Sequence, residues 1–555
     1  MIYAVFALTG LVITIIFACL AVIMKRRGHV PGDLSVTIGG FIEHYYPVFL
    51  LLIFAVFLFS RLLKLEVFPN GFHVDELSMA VDAKSILYHG TDRGGIRYPV
   101  YFRNYGGGQN ALYIYIQALI LRFLKPTIFA FRVQAVFWGA VCFFAMFGTA
   151  YELTGSRAWA LSGPVLVTVL PVYVMSERWG LEAYLFLPFS AIVLFLAIRA
   201  VKSGRTRDWI LTGIFMGLSL YTYAVSYIVW PVFLVLSFVY LLYLKKINIR
   251  QVLSFVIPLG IIAFPLILFQ LVNFRIIPPF HLGPSDYIPL PEKRERELGI
   301  RFMKKSIMFI GKLLLGGEKL SYNSVSEFGT IYLFLIPFMA IGLIICIYKT
   351  FISVKTKTFS CHALILFFWI GSTVFMLLLK NPAVNRLNMI FMPFLLFIVT
   401  GVHSVMDKNT PAIAWTIFWT GASFLFFMYF YFFMMNNIYG RHELFTDSSF
   451  GRAIELSEKY FMKDENTHIY VQFDNQAISR NQQTFYFGGG PDDVYSDDIN
   501  TYGNVTSGLP EEIDINENAV YIIGDEFAHI SSWLISEGFS SYFQLPGCSI
   551  LYRPD

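Results

Sequence analysis

Apolar residues in this chain come in long runs separated by short polar connections. A transmembrane helix needs about 20 mostly apolar residues. On that measure the pattern predicts about twelve spans, at roughly 2–24, 46–65, 128–151, 158–176, 184–201, 208–224, 226–244, 250–272, 329–348, 361–379, 387–404 and 411–435. The stretch Asn110 to Leu124 is apolar but short, and Arg122, Lys125 and Pro126 close it. It is read as an interfacial helix rather than a span.

The pattern changes after about residue 436. The tail is polar, with apolar runs of strand length at 468–473, 519–523 and 548–552, preceded by a helical stretch, Phe450 to Phe461. Gly488-Gly489-Gly490-Pro491 and Ser507-Gly508-Leu509-Pro510 punctuate it. The expectation is a small α/β domain with its own core. The chain therefore divides into an extra first span with its following loop (1–45), a membrane domain (46–435) with long loops at 66–127 and 273–328, and an α/β domain (436–555).

Composition fits this division. Of 555 residues, 56% are hydrophobic and 14% charged, where a soluble domain carries about a quarter charged. That excludes an ordinary soluble protein, and a net charge of +5 spread over this length gives no reason to expect a nucleic-acid partner. Aromatic residues make up 18% and suit interfacial belts. The run Ile2 to Met24 has no positive leader and no evident cleavage site, so it is expected to be retained. The cysteines Cys19, Cys142, Cys346, Cys361 and Cys548 show no metal-ligand spacing.

Charge distribution sets the sidedness. One face collects Lys25, Arg26, Arg27, Arg157, Arg199, Lys202, Arg205, Arg207, Lys245, Lys246, Arg250, Lys349, Lys355, Lys357 and Lys408. The short loops of the other face hold Arg178, Lys380 and Arg386. The basic face is expected to be cytoplasmic in a plasma-membrane protein. Both long loops and the tail then fall outside.

Four charged features share that outer face. His73, Asp75 and Glu76 follow the second span. The same loop continues through Gly90-Thr91-Asp92-Arg93 and Arg103-Asn104-Tyr105-Gly106-Gly107-Gly108-Gln109-Asn110. Ser176-Glu177-Arg178 with Glu182 forms a tight turn between spans. Lys380 to Arg386 forms another. Neighbouring carboxylates raise each other's pKa and are costly at a membrane surface. A carboxylate can take a proton from an acceptor hydroxyl. An arginine can hold a phosphate leaving group and stabilise charge as the bond breaks. Such a set suits transfer of a group from a lipid phosphate to a hydroxyl.

In these motifs the chain resembles the GT-C superfamily of polyprenyl-phosphate-sugar glycosyltransferases, near the protein O-mannosyltransferase and aminoarabinose-transferase branch. Asp75–Glu76 resembles the acidic pair of the first outer loop, and Gly90 to Asn110 the rest of that loop. Ser176-Glu177-Arg178 with Glu182 resembles the second acidic motif. Asn385-Arg386-Leu387-Asn388 with Pro393 resembles the late arginine motif. The similarity covers roughly 46–435. It implies Asp75 as catalytic base, Glu76 as a support for acceptor binding or positioning, Arg178 and Arg386 as donor phosphate ligands, and Glu182 as an acid that orients acceptor or arginine. The implied reaction is a single inverting displacement. A polyprenyl-phosphate sugar is the implied donor and an extracytoplasmic hydroxyl the implied acceptor. The extra first span departs from the pattern, as does Glu182 where some relatives carry aspartate.

Further substrate-binding candidates are His73, Asp92, Arg103, Tyr105 and Lys319. Lys319 falls in a cluster with Lys304, Lys305 and Lys312 that suits lipid phosphates. Each feature also has a plainer reading. Asp75–Glu76 can stabilise a helix N-terminus. Arg178 and Arg386 can snorkel to the interface. Glu182 can pair with Arg178 at i, i+4 spacing. His73, Asp75 and Glu76 offer three ligands to a divalent metal but lack a fourth, so no metal or cofactor is assigned. The glycines at 106–108 can form a flexible turn or approach a phosphate. Asn504-Val505-Thr506 fits a glycosylation sequon. Competing functions are a transporter or flippase of a lipid-linked glycan, a glycan polymerase or ligase, and a scaffold. Transporters place ionisable residues near mid-membrane, whereas here they sit at span ends.

Overall fold

The computed structural model describes residues 7–16, 33–69, 71–104, 107–291, 298–315, 323–325, 327–406, 410–434, 453, 456–457, 459–461, 467–473, 501–502, 505–510, 512–545 and 547–553. Tyr105, Lys319, the basic triplet 25–27 and Asn504 lie outside them.

Among the described residues, eight helices are long and apolar enough to cross a membrane: Ile128–Thr154, Glu182–Ser203, Ser226–Tyr243, Ile249–Asn273, Leu333–Thr356, Cys361–Leu378, Asn385–Met406 and Ala412–Phe433. Each coincides with an expected span. The other four expected spans are shorter or interrupted. Ala7–Ile16 is all that is described of the first. Tyr46–Leu62 has 17 residues and stops where Lys64 takes a positive φ of 51°. Residues 158–176 form three pieces, Arg157–Ala160, Ser162–Val169 and Pro171–Ser176. Leu170 is extended (ψ 133°) at the break, because the residue before a proline is pushed out of the helical region. Thr206–Ser219 has 14 residues and ends in turns.

The chain forms two compact units. One comprises Met1–Leu63, Ala135–Ile267 and Lys293–Met435; the other comprises Lys64–Gln134, Leu268–Glu292 and Asn436–Asp555.

In the first unit, Ile336–Thr356 packs against Phe391–Met406 through facing glycines. A side chain at Gly342 would strike the Phe397 carbonyl, and one at Gly401 the Phe338 carbonyl. Membrane helices associate through such small residues because lipid supplies no hydrophobic drive. Ser226–Tyr243 packs on Cys361–Leu378, with the Trp230 ring against Phe186, Phe233 and Phe368.

In the second unit, Val74–His89 packs against Ala111–Leu121, which buries Tyr113, Ile114 and Gln117. Leu119, Phe123 and Leu124 stay exposed. Between these helices lies an antiparallel hairpin, Tyr101–Asn104 with Gly107–Asn110. A side chain at Gly108 would collide with Tyr101 and Leu290, so that glycine is a packing requirement within a strand.

Among the described residues the tail holds a mixed six-stranded sheet in the order Thr501–Tyr502, Val505–Ser507, His468–Gln472, Ala519–Gly524, Cys548–Tyr552, Ser540–Leu545. His468–Gln472 runs parallel to both neighbours. Ala519–Gly524 is buried throughout. Val520 and Ile522 join Ala453 and Leu456 on one face. Ala519, Tyr521 and Ile523 join Leu534 of helix Ala528–Ser536 on the other. A strand covered on both faces shows a continuous apolar run, which is why it was legible. Ser540–Leu545 is largely exposed and was not expected.

Candidate active site

The acidic loop belongs to the second unit. His73 is the N-cap of Val74–His89. Its Nδ1 accepts from the Asp75 amide at 3.1 Å, and its own amide donates to Glu76 Oε2 at 3.0 Å. This is a capping box with histidine in the usual serine or threonine place. Gly90 closes the helix in the left-handed region (φ 70°).

The two carboxylates have different fates. Glu76 is fully buried against Arg132, which donates from Nε to Oε1 at 3.0 Å and from Nη2 to Oε2 at 2.9 Å. Arg132 also donates to the carbonyls of Pro69 and Gly71. Asp75 stays 44% exposed, and its Oδ1 accepts from Asn104 Nδ2 at 3.1 Å. Of the two acids expected at the site, Glu76 is sealed by Arg132 and Asp75 is accessible. Nor do the three candidate metal ligands converge, since His73 Nδ1 and both Glu76 oxygens are engaged. Among the described residues no other group of histidine, cysteine or acidic side chains has metal-site geometry.

Asp92, expected to touch substrate, is buried. Its Oδ1 accepts from the amides of Gly94 and Ile96, both at 2.8 Å. It builds a turn, as short acidic side chains do. Burial raises its pKa, opposed by those two amides. Arg103 is half-buried, and its carbonyl accepts from Arg93 Nη2 at 3.1 Å. Asp82 was not singled out from the sequence. It is buried beside Arg93, accepting from the Arg93 amide at 3.0 Å with Nε at 3.5 Å. Burial pushes its carboxyl up to about 7. Glycines 107 and 108 lie in the hairpin strand, not in a phosphate-binding turn.

The arginine turns belong to the first unit. Arg178 is fully buried. Its Nη1 donates to the carbonyls of Ser60 (3.0 Å) and Arg61 (2.6 Å), and its Nη2 to that of Leu63 (2.8 Å). These are end carbonyls of Tyr46–Leu62, which otherwise lack intrahelical partners. The guanidinium also lies 4.8 Å from the Phe432 ring centroid. In this structure Arg178 clamps the end of that helix. Beside it Arg61 donates from Nε to Glu177 Oε2 at 2.9 Å and from Nη2 to the Val167 carbonyl at 2.7 Å. Gly139 lets Glu177 pass, since a Cβ there would lie 2.8 Å from its carboxyl carbon.

Arg386 is half-buried in the turn Asn385–Ile390. Asn388 Nδ2 donates to the Ala183 carbonyl, tying this turn to the first turn of the helix that Glu182 opens. Asn323 bridges Tyr184 and Asn385. Arg386 and Glu182, which is also half-buried, are thereby brought to one corner.

Comparison with known proteins fits this fold. Residues 111–272 match the model of the dolichyl-phosphate-mannose-protein mannosyltransferase family. The fold is similar to ArnT from Cupriavidus metallidurans bound to undecaprenyl phosphate, at 12% identity, a TM-score of 0.53 and coverage of 92% of this chain and 98% of that one. The apo form of ArnT matches at 12% identity, a TM-score of 0.52 and coverage of 92% and 97%. The Archaeoglobus fulgidus oligosaccharyltransferase in complex with Zn and sulfate is more distant, at 11% identity, a TM-score of 0.47 and coverage of 91% and 73%. No curated protein matches the sequence significantly. The chain is a polytopic helical membrane protein whose fold is similar to that of ArnT, and its residues 111–272 resemble the mannosyltransferase family.

Proposed function

We propose that this chain is an integral-membrane glycosyltransferase. It moves a monosaccharide from a polyprenyl-phosphate carrier to a hydroxyl of a cell-envelope glycan, lipid or protein on the extracytoplasmic face. The observation that carries the reading is the asymmetry of the acidic pair: Glu76 is sealed by Arg132 while Asp75 is exposed and held by one hydrogen bond. A general base must reach its proton, and of the two only Asp75 does.

In the reaction, Asp75 takes the acceptor hydroxyl proton as the oxygen attacks the anomeric carbon. A new carbon–oxygen bond forms on the face opposite the old one. The bond to phosphate breaks, and the polyprenyl phosphate leaves with the electron pair. Configuration inverts. Arg386 is the donor phosphate ligand in this reading, with Glu182 as its orienting neighbour. Arg178 contributes by holding the end of Tyr46–Leu62. The family match and the likeness to an undecaprenyl-phosphate-bound enzyme support a lipid-phosphate donor.

The test is sugar release from a panel of radiolabelled polyprenyl-phosphate monosaccharides, with purified wild type and Asp75→Asn in detergent and crude envelope as acceptor. Turnover by wild type alone is expected and would identify the sugar. Equal turnover by both removes Asp75 as base.

A further inference from the structure

A chain of buried polar groups leads from the interior of the acidic loop to Asp75. It starts at Asp82, whose Oδ1 accepts from the Arg93 amide at 3.0 Å and lies 3.5 Å from Arg93 Nε. Arg93 reaches onward with Nη2, which donates to the Arg103 carbonyl at 3.1 Å and to Asn104 Oδ1 at 3.0 Å. Asn104 Nδ2 then donates to Asp75 Oδ1 at 3.1 Å. Asp82, Arg93 and Asn104 are all buried, and only Asp75 at the end is open.

The order of groups fixes the direction of every bond. Arginine can only donate, so Asn104 must present its carbonyl to Arg93. Its amide nitrogen then faces Asp75. The flipped amide would set donor against donor at Arg93 and acceptor against acceptor at Asp75. Asn104 sits opposite Gly107 in the hairpin, so its backbone is held as well.

We infer that Arg93 and Asn104 are positioning residues for Asp75, anchored by Asp82: Arg93 orients the Asn104 amide, Asn104 occupies Oδ1, and Oδ2, 3.7 Å from His73 Nδ1, is left for the acceptor hydroxyl. This rests on the reading of Asp75 as base. A base held by one directed bond keeps its attack geometry, and a misplacement of about 1 Å can cost on the order of 100-fold in rate.

Asn104→Asp separates positioning from packing. The new carboxylate still accepts from Arg93, so the buried arginine keeps its partner. Its second oxygen puts an acceptor of like charge against Asp75. Asn104→Ala, which carries no charge, is measured beside it, together with Asp75→Asn. Kinetics use the polyprenyl-phosphate monosaccharide that wild type turns over, with envelope acceptor, and melting midpoints in detergent are taken for each protein. The expected result is an inactive Asp75→Asn, and Asn104 variants that melt with the wild type, keep donor KM and lose roughly 10- to 100-fold in kcat. Wild-type kcat in Asn104→Asp with an inactive Asp75→Asn overturns the relay and leaves the transferase reading standing. A collapsed midpoint in both Asn104 variants also overturns it, because the amide would then hold the fold rather than the base. Full turnover by Asp75→Asn overturns the reading of the base and the relay with it.

Discussion

Arg132 grips Glu76 through both carboxylate oxygens, and neither side chain has any exposed surface. Glu76 also closes the capping box that begins the helix bearing Asp75. Breaking a buried pair from one side leaves an uncompensated charge and costs about 3–5 kcal/mol. Glu76→Gln should therefore lower the thermal midpoint in detergent sharply, with Arg132→Ala at least as harmful. A Glu76→Gln protein that melts like wild type yet does not turn over would return Glu76 to the chemistry.

The two candidate arginines should separate by assay. Arg178→Ala removes three bonds to the carbonyls at the end of Tyr46–Leu62 and should destabilise the protein. Arg386→Ala should weaken donor use. A charge-assisted hydrogen bond is worth about 1.5–3 kcal/mol, so donor KM should rise roughly 10- to 100-fold. Titration of polyprenyl phosphate against each variant checks this, and unchanged binding by Arg386→Ala would remove it from the donor site.

Asp82 gives stability a pH dependence. Its carboxyl is pushed by burial from 3.8 up to about 7, so the folded state prefers the protonated form. Its contribution is fully present below 3.8 and is lost as pH rises through about 7. Asparagine at this position stays uncharged. The midpoint of Asp82→Asn should therefore gain on wild type as pH is raised from about 4, levelling off above about 7. A constant difference across that window would mean that Arg93 keeps Asp82 ionised throughout.

The crossing of Ile336–Thr356 and Phe391–Met406 depends on Gly342 and Gly401, each facing a carbonyl of the opposite helix. Gly342→Leu should force the helices apart and abolish folded expression. Gly260→Ala, where a Cβ meets nothing within 4 Å, is the matched control and should be tolerated. Fluorescence-detected size exclusion of tagged variants compares the two.

Some of this molecule was legible along the chain. Eight spans and the buried strands of the tail declare themselves through uninterrupted apolar runs, whereas the helix Val74–His89 lies in a stretch read as loop. Those signals arise within one element, from lipid or from burial on two faces. The acidic pair was legible too, as two charges that an apolar chain does not need for folding. What the pair does was decided by tertiary structure. Glu76 meets Arg132 across 56 positions, Asp75 meets Asn104 across 29, and Arg178 reaches the end of a helix 115 positions or more away. Nothing local distinguishes Asp75 from Glu76, or Arg178 from Arg386. A buried charge must find partners for every polar atom it carries, and which atoms lie near enough is known only once the chain has closed its long-range contacts.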